Sequence, residues 1–121
     1  MNIKQFIDGL NSVNSINDNV LEIEKKYQTS FPTEIKKILS VCKDGIFFDD
    51  KSFCRLLANI EILNAEEFLH VSFREKNLLP LFEKGDNDFI AYNYKKHMWL
   101  FINIVDESIW GEKSSLAEIL L

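Results

Sequence analysis

The chain has 121 residues and a formal net charge of −5, with 46% hydrophobic and 27% charged residues. This length and composition fit one globular domain with a single hydrophobic core, and they exclude disordered and collagen-like chains. No apolar run approaches the roughly 20 residues that a membrane-spanning helix needs. The opening MNIKQFIDGL has an acid and a glycine where a signal peptide needs a continuous apolar block. We therefore expect a cytoplasmic location and no membrane contact.

Cysteine and histidine are too few and too scattered for a disulfide framework or a zinc site. Cys42 and Cys54 show no CxxC spacing, and His70 and His97 stand 27 positions apart. A structural zinc site needs about four Cys or His ligands. The sequence therefore predicts no metal and no other cofactor.

The charge is uneven along the chain. Residues 1–43 carry six lysines and five acids, whereas residues 44–121 carry eight basic and 14 acidic residues, a net charge of −6. Nucleic acids bind to basic surfaces, so the acidic part argues against a nucleic-acid ligand. It favours a basic protein partner, or it serves only to keep the surface solvated.

Helical periodicity dominates the first 43 residues. Apolar residues from Ile3 to Val13 predict a first short helix, and Asn17 or Asp18 can cap a second. The segment SFPTEIKKILSVCKDG predicts a third helix, with Pro32 in its first turn and Gly45 ending it in a left-handed conformation.

After Gly45 the pattern becomes that of strands. IFF and FCRLL predict short strands, and Asn64 with Glu67 resembles a capping box for a short helix, AEEFLHVS. NLLPLF predicts a short segment at a sheet edge or a strand end, because Pro80 has no N–H to donate.

An alternating run then predicts a hairpin around Lys95–Lys96, with one aliphatic and one aromatic face. The predicted cross-strand pairs are Tyr92 with Trp99, Ile90 with Phe101, Ala91 with Leu100, and Phe89 with Ile102.

Together these elements predict an α+β fold: N-terminal helices packed on a mainly antiparallel sheet, followed by a closing C-terminal helix. Ser115 and Glu118 have the spacing of a capping box for that last helix. We expect one domain over residues 1–121, with residues 1–16 as a helical extension and residues 17–121 as the core.

The order of these segments resembles the SUKH superfamily of Smi/Knr-type domains. LEIEKKY precedes FPTEIKKIL and KDG, and LLPLFEKGDNDFIAYNY and MWLFINI follow later, so that the resemblance covers residues 17–121. The chain has Lys43-Asp44-Gly45 where the family usually has Asn-Gly-Gly, and a longer stretch, Gly85-Asp86-Asn87-Asp88, in place of the family's Gly-Asp. The matching positions are Glu24, Phe31, Pro32, Ile38, Leu39, Gly45, Leu79, Pro80, Gly85, Asp88, Ile90 and Ala91.

The resemblance implies an α+β fold around a central sheet and a function without catalysis. Many bacterial members are immunity proteins that bind and neutralise a cognate polymorphic or contact-dependent toxin, and fungal relatives are regulatory scaffolds. Two functions are therefore open: an immunity protein for a toxin, with a basic toxin such as a nuclease favoured by the charge, or a regulatory module without a toxin partner.

The acidic stretch FEKGDNDF allows several interpretations. A calcium loop needs oxygen ligands at alternating positions over about 12 residues, and the pattern here stops after Asp86 and Asp88. A catalytic carboxylate pair needs an orienting partner, and no His, Ser or Lys stands at a suitable spacing. The residues favour a polar turn, which would present its carboxylates to a basic partner.

Aromatic residues are the candidate apolar anchors for that partner, because a few aromatic or Arg residues carry most of the binding energy of an interface. Tyr92, Trp99 and Trp110 are the candidates, with core packing as the alternative for each. Trp110 is placed in a loop, DESIWGEK. Glu66 and Glu67 are further candidates for partner contact, or surface acids of a helix.

Overall fold

A computed structural model describes all residues from 1 to 121. The helices are α1 (Ile3–Leu10), α2 (Asp18–Tyr27), α3 (Thr33–Val41), α4 (Asn59–Leu63), α5 (Ala65–Leu69) and α6 (Leu116–Leu120), with a 3₁₀ turn at Arg74–Lys76. The strands are β1 (Ile46–Phe47), β2 (Arg55–Leu56), β3 (Leu78–Gly85), β4 (Asp88–Asn93), β5 (Met98–Asn103) and β6 (Ile109–Lys113). None of the helices has both the length and the apolar character to cross a membrane.

The six strands form one antiparallel sheet in chain order, from β1 at one edge to β6 at the other. With helices before, within and after the strands, the fold is α+β, as predicted. All four predicted pairs between β4 and β5 are confirmed, including Tyr92 opposite Trp99. The register follows from strict alternation, since a slip of one residue would move every side chain to the other face.

Side-chain caps begin three of the helices. Asn2 Oδ1 accepts a hydrogen bond from the Gln5 N–H in a capping box that starts α1, and Asn17 accepts the Asn19 N–H at the start of α2. Ser115 Oγ accepts the Glu118 N–H at 3.2 Å and starts α6, as predicted. Each cap satisfies a backbone donor that has no partner within the helix.

A single core joins all of these elements. It contains 34 buried hydrophobic residues, and three residues of α1 belong to it. The Phe6 ring of α1 meets Phe82 of β3 edge-on, at 6.1 Å between centroids, while α6 contacts β5 and β6. Helix α1 is therefore part of the packing of the core.

The prediction that Pro80 marks an edge or strand end is wrong. Pro80 lies inside β3, which pairs with β2 on one side and β4 on the other. The missing N–H is tolerated because β2 ends at Leu56, before it reaches Pro80, and a bulge interrupts the β3–β4 ladder between Pro80 and Phe82.

Two local predictions around the helices are also corrected. Asn64 makes no cap; its amide donates to the Ile60 carbonyl, and the Glu61 side chain accepts the Ala58 N–H at the start of the earlier helix α4. Helix α3 ends at Val41. Gly45 comes four residues later with φ +74°, where a Cβ would lie 2.9 Å from the Leu56 carbonyl oxygen, so it shapes the approach to β1.

Trp110 does not lie in a loop. It belongs to β6, an edge strand whose residues are all exposed.

Candidate functional site

The sheet register brings three connections to one end of the molecule. Phe47 pairs with Arg55, Gly85 with Asp88, and Ile102 with Ile109. The β1–β2, β3–β4 and β5–β6 connections therefore lie side by side. We call residues 47–54, 84–88 and 104–110 the loop end. Six strands at about 4.8 Å spacing make it roughly 24 Å wide.

Most of the excess negative charge is at the loop end. It contains six acids and two lysines, a net of −4, compared with −5 for the whole chain. Five carboxylates are engaged: Asp49 pairs with the amino terminus, Asp50 accepts the Ile3 N–H, and Glu107 pairs with Lys76, while Asp88 and Asp106 bond to Asn103 and Ser108. Asp86 alone makes no side-chain bond. The formal charge of these residues is −4, of which the amino terminus and Lys76 offset two charges from outside the loop end, and the remaining carboxylates create a negative potential there.

Exposed apolar side chains accompany these acids. Five of the 12 large hydrophobic residues that the fold leaves exposed lie at the loop end. They form two groups, Phe47 and Phe53 at the β1 side and the other three at the β6 side, and exposed apolar side chains beside charge are typical of a protein-binding site. The five are Phe47 (71% exposed), Phe53, Val105 (74%), Ile109 and Trp110 (42%).

The acidic stretch forms a two-residue hairpin turn. Asp86 and Asn87 have φ +52° and +66°, after Gly85 at +90°, and two positive φ angles in a two-residue loop are typical of a type I′ turn. The Asp88 carboxylate accepts a hydrogen bond from the Asn103 amide at 2.9 Å. The turn prediction is confirmed, and it leaves the Asp86 carboxylate in solvent.

Backbone and amide contacts fix the neighbouring β5–β6 connection to this turn. The Ile104 N–H donates to the Asn87 carbonyl at 2.9 Å, and Asn103 Oδ1 accepts the Val105 N–H. The Ser108 backbone N–H and hydroxyl both donate to Asp106 and lower the pKa of that carboxyl. The acids of these two connections are thus held in a defined arrangement.

Trp110 lies on the sheet surface, stacked on Phe101 with 5.6 Å between ring centroids and 14° between planes. The next residue, Gly111, has φ +67°, and a Cβ there would lie 2.8 Å from Phe101 Cδ2. The glycine therefore lets the Phe101 ring lie flat under Trp110. The stack leaves one indole face available to a partner, as interface anchors require.

At the other side of the loop end, two phenylalanines flank a charged cluster. The Phe47 and Phe53 rings are 6.3 Å apart, and the Arg55 guanidinium lies 5.8 Å from the centroid of Phe47. Arg55 donates to Glu61 at 2.7 Å and to Glu83 at 2.6 Å. The bonds from Arg55 lower the pKa of Glu61, so this carboxylate stays charged.

The prediction that Tyr92 and Trp99 anchor a partner is wrong for this fold. Trp99 is 1% exposed and Tyr92 6% exposed. Their rings pack together at 5.2 Å, Trp99 also lies 6.3 Å from Phe82, and the Tyr92 hydroxyl bonds to His97 Nδ1. Both belong to the core because helices cover the aromatic face of the sheet.

Glu66 and Glu67 lie on α5, outside the loop end. Glu66 is held by the backbone N–H and the guanidinium of Arg74, at 2.8 and 2.9 Å. It borders a polar groove of about 460 Å³, shared with Tyr27 and Tyr94, at the end of the sheet where β4 turns into β5. Glu67 is exposed and lies 3.4 Å from Lys26.

The structure gathers no group of three or more His, Cys, Asp or Glu side chains that could hold a metal ion. Both cysteines are buried, and burial raises the pKa of the Cys42 thiol to about 12 and that of Cys54 to about 11. Neither is a thiolate at neutral pH, so neither is an activated nucleophile.

Of the residues proposed from the sequence, Asp86, Asp88 and Trp110 lie at the loop end, together with Phe47 and Phe53, which the sequence reasoning did not single out. The strand alternation of IFF and FCRLL could have indicated that Phe47 and Phe48 point to opposite faces. It could not indicate that Phe6 of α1 covers Phe48 while Phe47 stays exposed.

A comparison of the chain with protein-family models, with characterised proteins and with solved structures found no match.

Proposed function

We propose that this protein is an immunity protein, which binds a cognate bacterial toxin in a stoichiometric complex and neutralises it without catalysing a reaction. The observation that carries the proposal is the loop end, where a net charge of −4 coincides with five exposed apolar residues. The loop end is roughly 24 Å wide. A standard interface takes about 800 Å² from each partner, which is a patch about 28 Å on a side, so the two sizes are comparable. The resemblance to SUKH immunity proteins agrees with this function.

The charge indicates which toxins suit this surface. A basic toxin such as a nuclease is favoured, because a nuclease carries positive charge to hold phosphates. Carboxylates at the loop end would speed its association, and apolar anchors such as Trp110 would supply most of the affinity. Since such a toxin acts inside the cell, the proposal includes a cytoplasmic location.

The proposal requires a toxin gene next to this gene, and the test uses the product of that gene. Co-expression should protect cells from that toxin, and the two chains should co-purify. Trp110→Ala should weaken the complex about 10- to 100-fold, the range of an interface hot spot. Leu21→Ala, a matched exposed apolar residue on α2, should leave affinity unchanged.

Failure of protection together with failure to co-purify would reject the proposal. The alternative function, a regulatory module without a toxin partner, predicts that outcome together with capture of other cellular proteins through the same loop end.

A further inference from the structure

A narrow cleft adjoins the loop end, between the strands at Arg55, Glu83 and Phe89 and the helix residues Phe68 and Leu69. We call it the Arg55 cleft. Its volume is about 120 Å³. Since an engineered cavity of about 150 Å³ can hold benzene, the Arg55 cleft has the size for one side chain.

The charges in the Arg55 cleft do not cancel. One guanidinium, that of Arg55, faces the two carboxylates of Glu61 and Glu83, which leaves a net charge of −1. Both Glu61 oxygens accept bonds from Arg55. Glu83 uses only Oε1, at 2.6 Å from Arg55 Nε, so Oε2 has no hydrogen-bond partner within the protein.

Apart from these three charged residues, the lining of the Arg55 cleft is apolar. Phe89 is buried, and Phe68 is 65% exposed at the rim. An apolar occupant would remove water from Glu83 Oε2 without replacing its hydrogen bond, and an acidic occupant would be repelled. A long basic side chain meets both needs, because its aliphatic stem covers apolar walls while its cation reaches the carboxylate. Arginine fits better than lysine, since its planar guanidinium also stacks on aromatic rings.

We infer that the Arg55 cleft receives an arginine side chain of the basic partner, with the stem against Phe68 and the guanidinium at Glu83. The inference rests on the proposed function and deepens it, since it names one residue that the toxin surface must present. The cleft is continuous with the loop end through Arg55, which lies over Phe47.

The experiment uses the full-length protein and two small probes, N-acetyl-arginine amide and its neutral isostere N-acetyl-citrulline amide. Titrations followed by ¹⁵N–¹H NMR should show saturable shifts at the amides of Phe68, Leu69 and Phe89. The arginine probe should bind about fivefold more tightly than the citrulline probe, the preference expected of one partly exposed ion pair. In Glu83→Gln that preference should disappear.

A second variant keeps the test independent of the ion pair between Glu83 and Arg55. Phe68 is exposed, so Phe68→Ser should fold normally and weaken both probes about threefold through lost stem contact. Equal binding of the two probes to the wild-type protein, or shifts that do not saturate, would overturn the inference.

The outcomes separate the two proposals. A toxin complex that forms while the cleft shows no arginine preference overturns the cleft assignment alone. If the cleft prefers arginine but no toxin complex forms, the cleft assignment is supported and only the proposed function is rejected.

Discussion

The two ends of the sheet differ in charge and in exposed apolar surface, although polar groups bond within the fold at both. At the end where β4 turns into β5, polar side chains bond within the fold. Asn93 Oδ1 accepts two backbone N–H groups of the turn, and Glu66 accepts hydrogen bonds from Arg74. The groove there has two acids and two bases among its lining residues, so its formal charge is zero. At the loop end, a net charge of −4 surrounds exposed apolar residues.

The comparison indicates that the groups that stabilise this fold differ from the groups that are free to contact a partner. Groups that bond within the fold stabilise it, and their removal leaves a partner unsatisfied. Phe47, Val105 and Asp86 are exposed and contribute little of this kind, so substitution there should be tolerated by the fold. The following substitutions test that separation, beginning with the largest expected effect.

The two tryptophans give the sharpest contrast in stability. Trp99→Ala empties a fully buried site and should lower the free energy of unfolding by about 3–5 kcal/mol. Trp110→Ala removes only an exposed stack on Phe101 and should cost about 1 kcal/mol. Urea unfolding followed by circular dichroism measures both. Equal losses would contradict the burial of Trp99.

Two glycines test the geometry beneath Trp110. Gly111→Ala brings a Cβ to 2.8 Å from the Phe101 ring at a positive φ, and it should destabilise the protein by about 1–2 kcal/mol. Gly9→Ala, in helix α1 with no atom within 4 Å of the new Cβ, should stabilise it by about 0.5–1 kcal/mol. Thermal unfolding of the two variants should shift in opposite directions, and a shared direction would refute the assigned role of Gly111.

Glu66 should make stability depend on pH. Burial alone would raise the pKa of Glu66, but the hydrogen bonds from Arg74 lower it overall below its usual 4.5. The folded state thus binds this proton less readily than the unfolded chain, so the contribution is complete above pH 4.5 and is lost as the pH falls through the lowered value. Glu66→Gln should lower the melting temperature by about 2–4 °C at pH 7.

The same variant should lose less stability than the wild type on acidification from about pH 5 to pH 3. Asp86→Asn is the matched control at the loop end, and it should leave the melting temperature at pH 7 unchanged, because the Asp86 carboxylate makes no bond within the fold. Melting curves at several pH values decide this, and parallel curves for Glu66→Gln and the wild type would count against the hydrogen bonds from Arg74 to Glu66.

The smallest effect is expected on partner association. Asp86→Asn should slow toxin binding about twofold at low salt and reduce its salt dependence, because the free carboxylate at the loop end attracts a basic surface. Glu22→Gln removes the same charge from exposed α2, and it should change the rate less. Stopped-flow kinetics can compare them, and equal slowing would show that net charge alone matters.

Much of the fold could be predicted because each pattern had a local physical cause. Strict alternation fixed the β4–β5 register, and Asn17 and Ser115 could be identified as caps from their side chains and spacing. Strand β6 was missed because IWGEK contains a glycine and little alternation. The weak alternation comes from a bulge at Gly111, which interrupts the two-residue period of side chains along the strand.

The candidate site could be predicted only in part. Asp86 and Trp110 lie in segments whose polar neighbours favour exposure, and both are exposed. Trp99 was misassigned because pairing across strands indicates neighbours but not which face the helices α1 and α6 cover. The three connections lie at one end because of the order of all six strands in the sheet. No short segment of the sequence determines that order.

The most direct test of the loop end is amide hydrogen exchange of this protein, free and in complex with the neighbouring toxin. We predict that binding protects residues 47–54, 84–88 and 104–110 and leaves the groove beside Tyr27 and Tyr94 unchanged. Protection confined to that groove, with the loop end exchanging as in the free protein, would contradict the account.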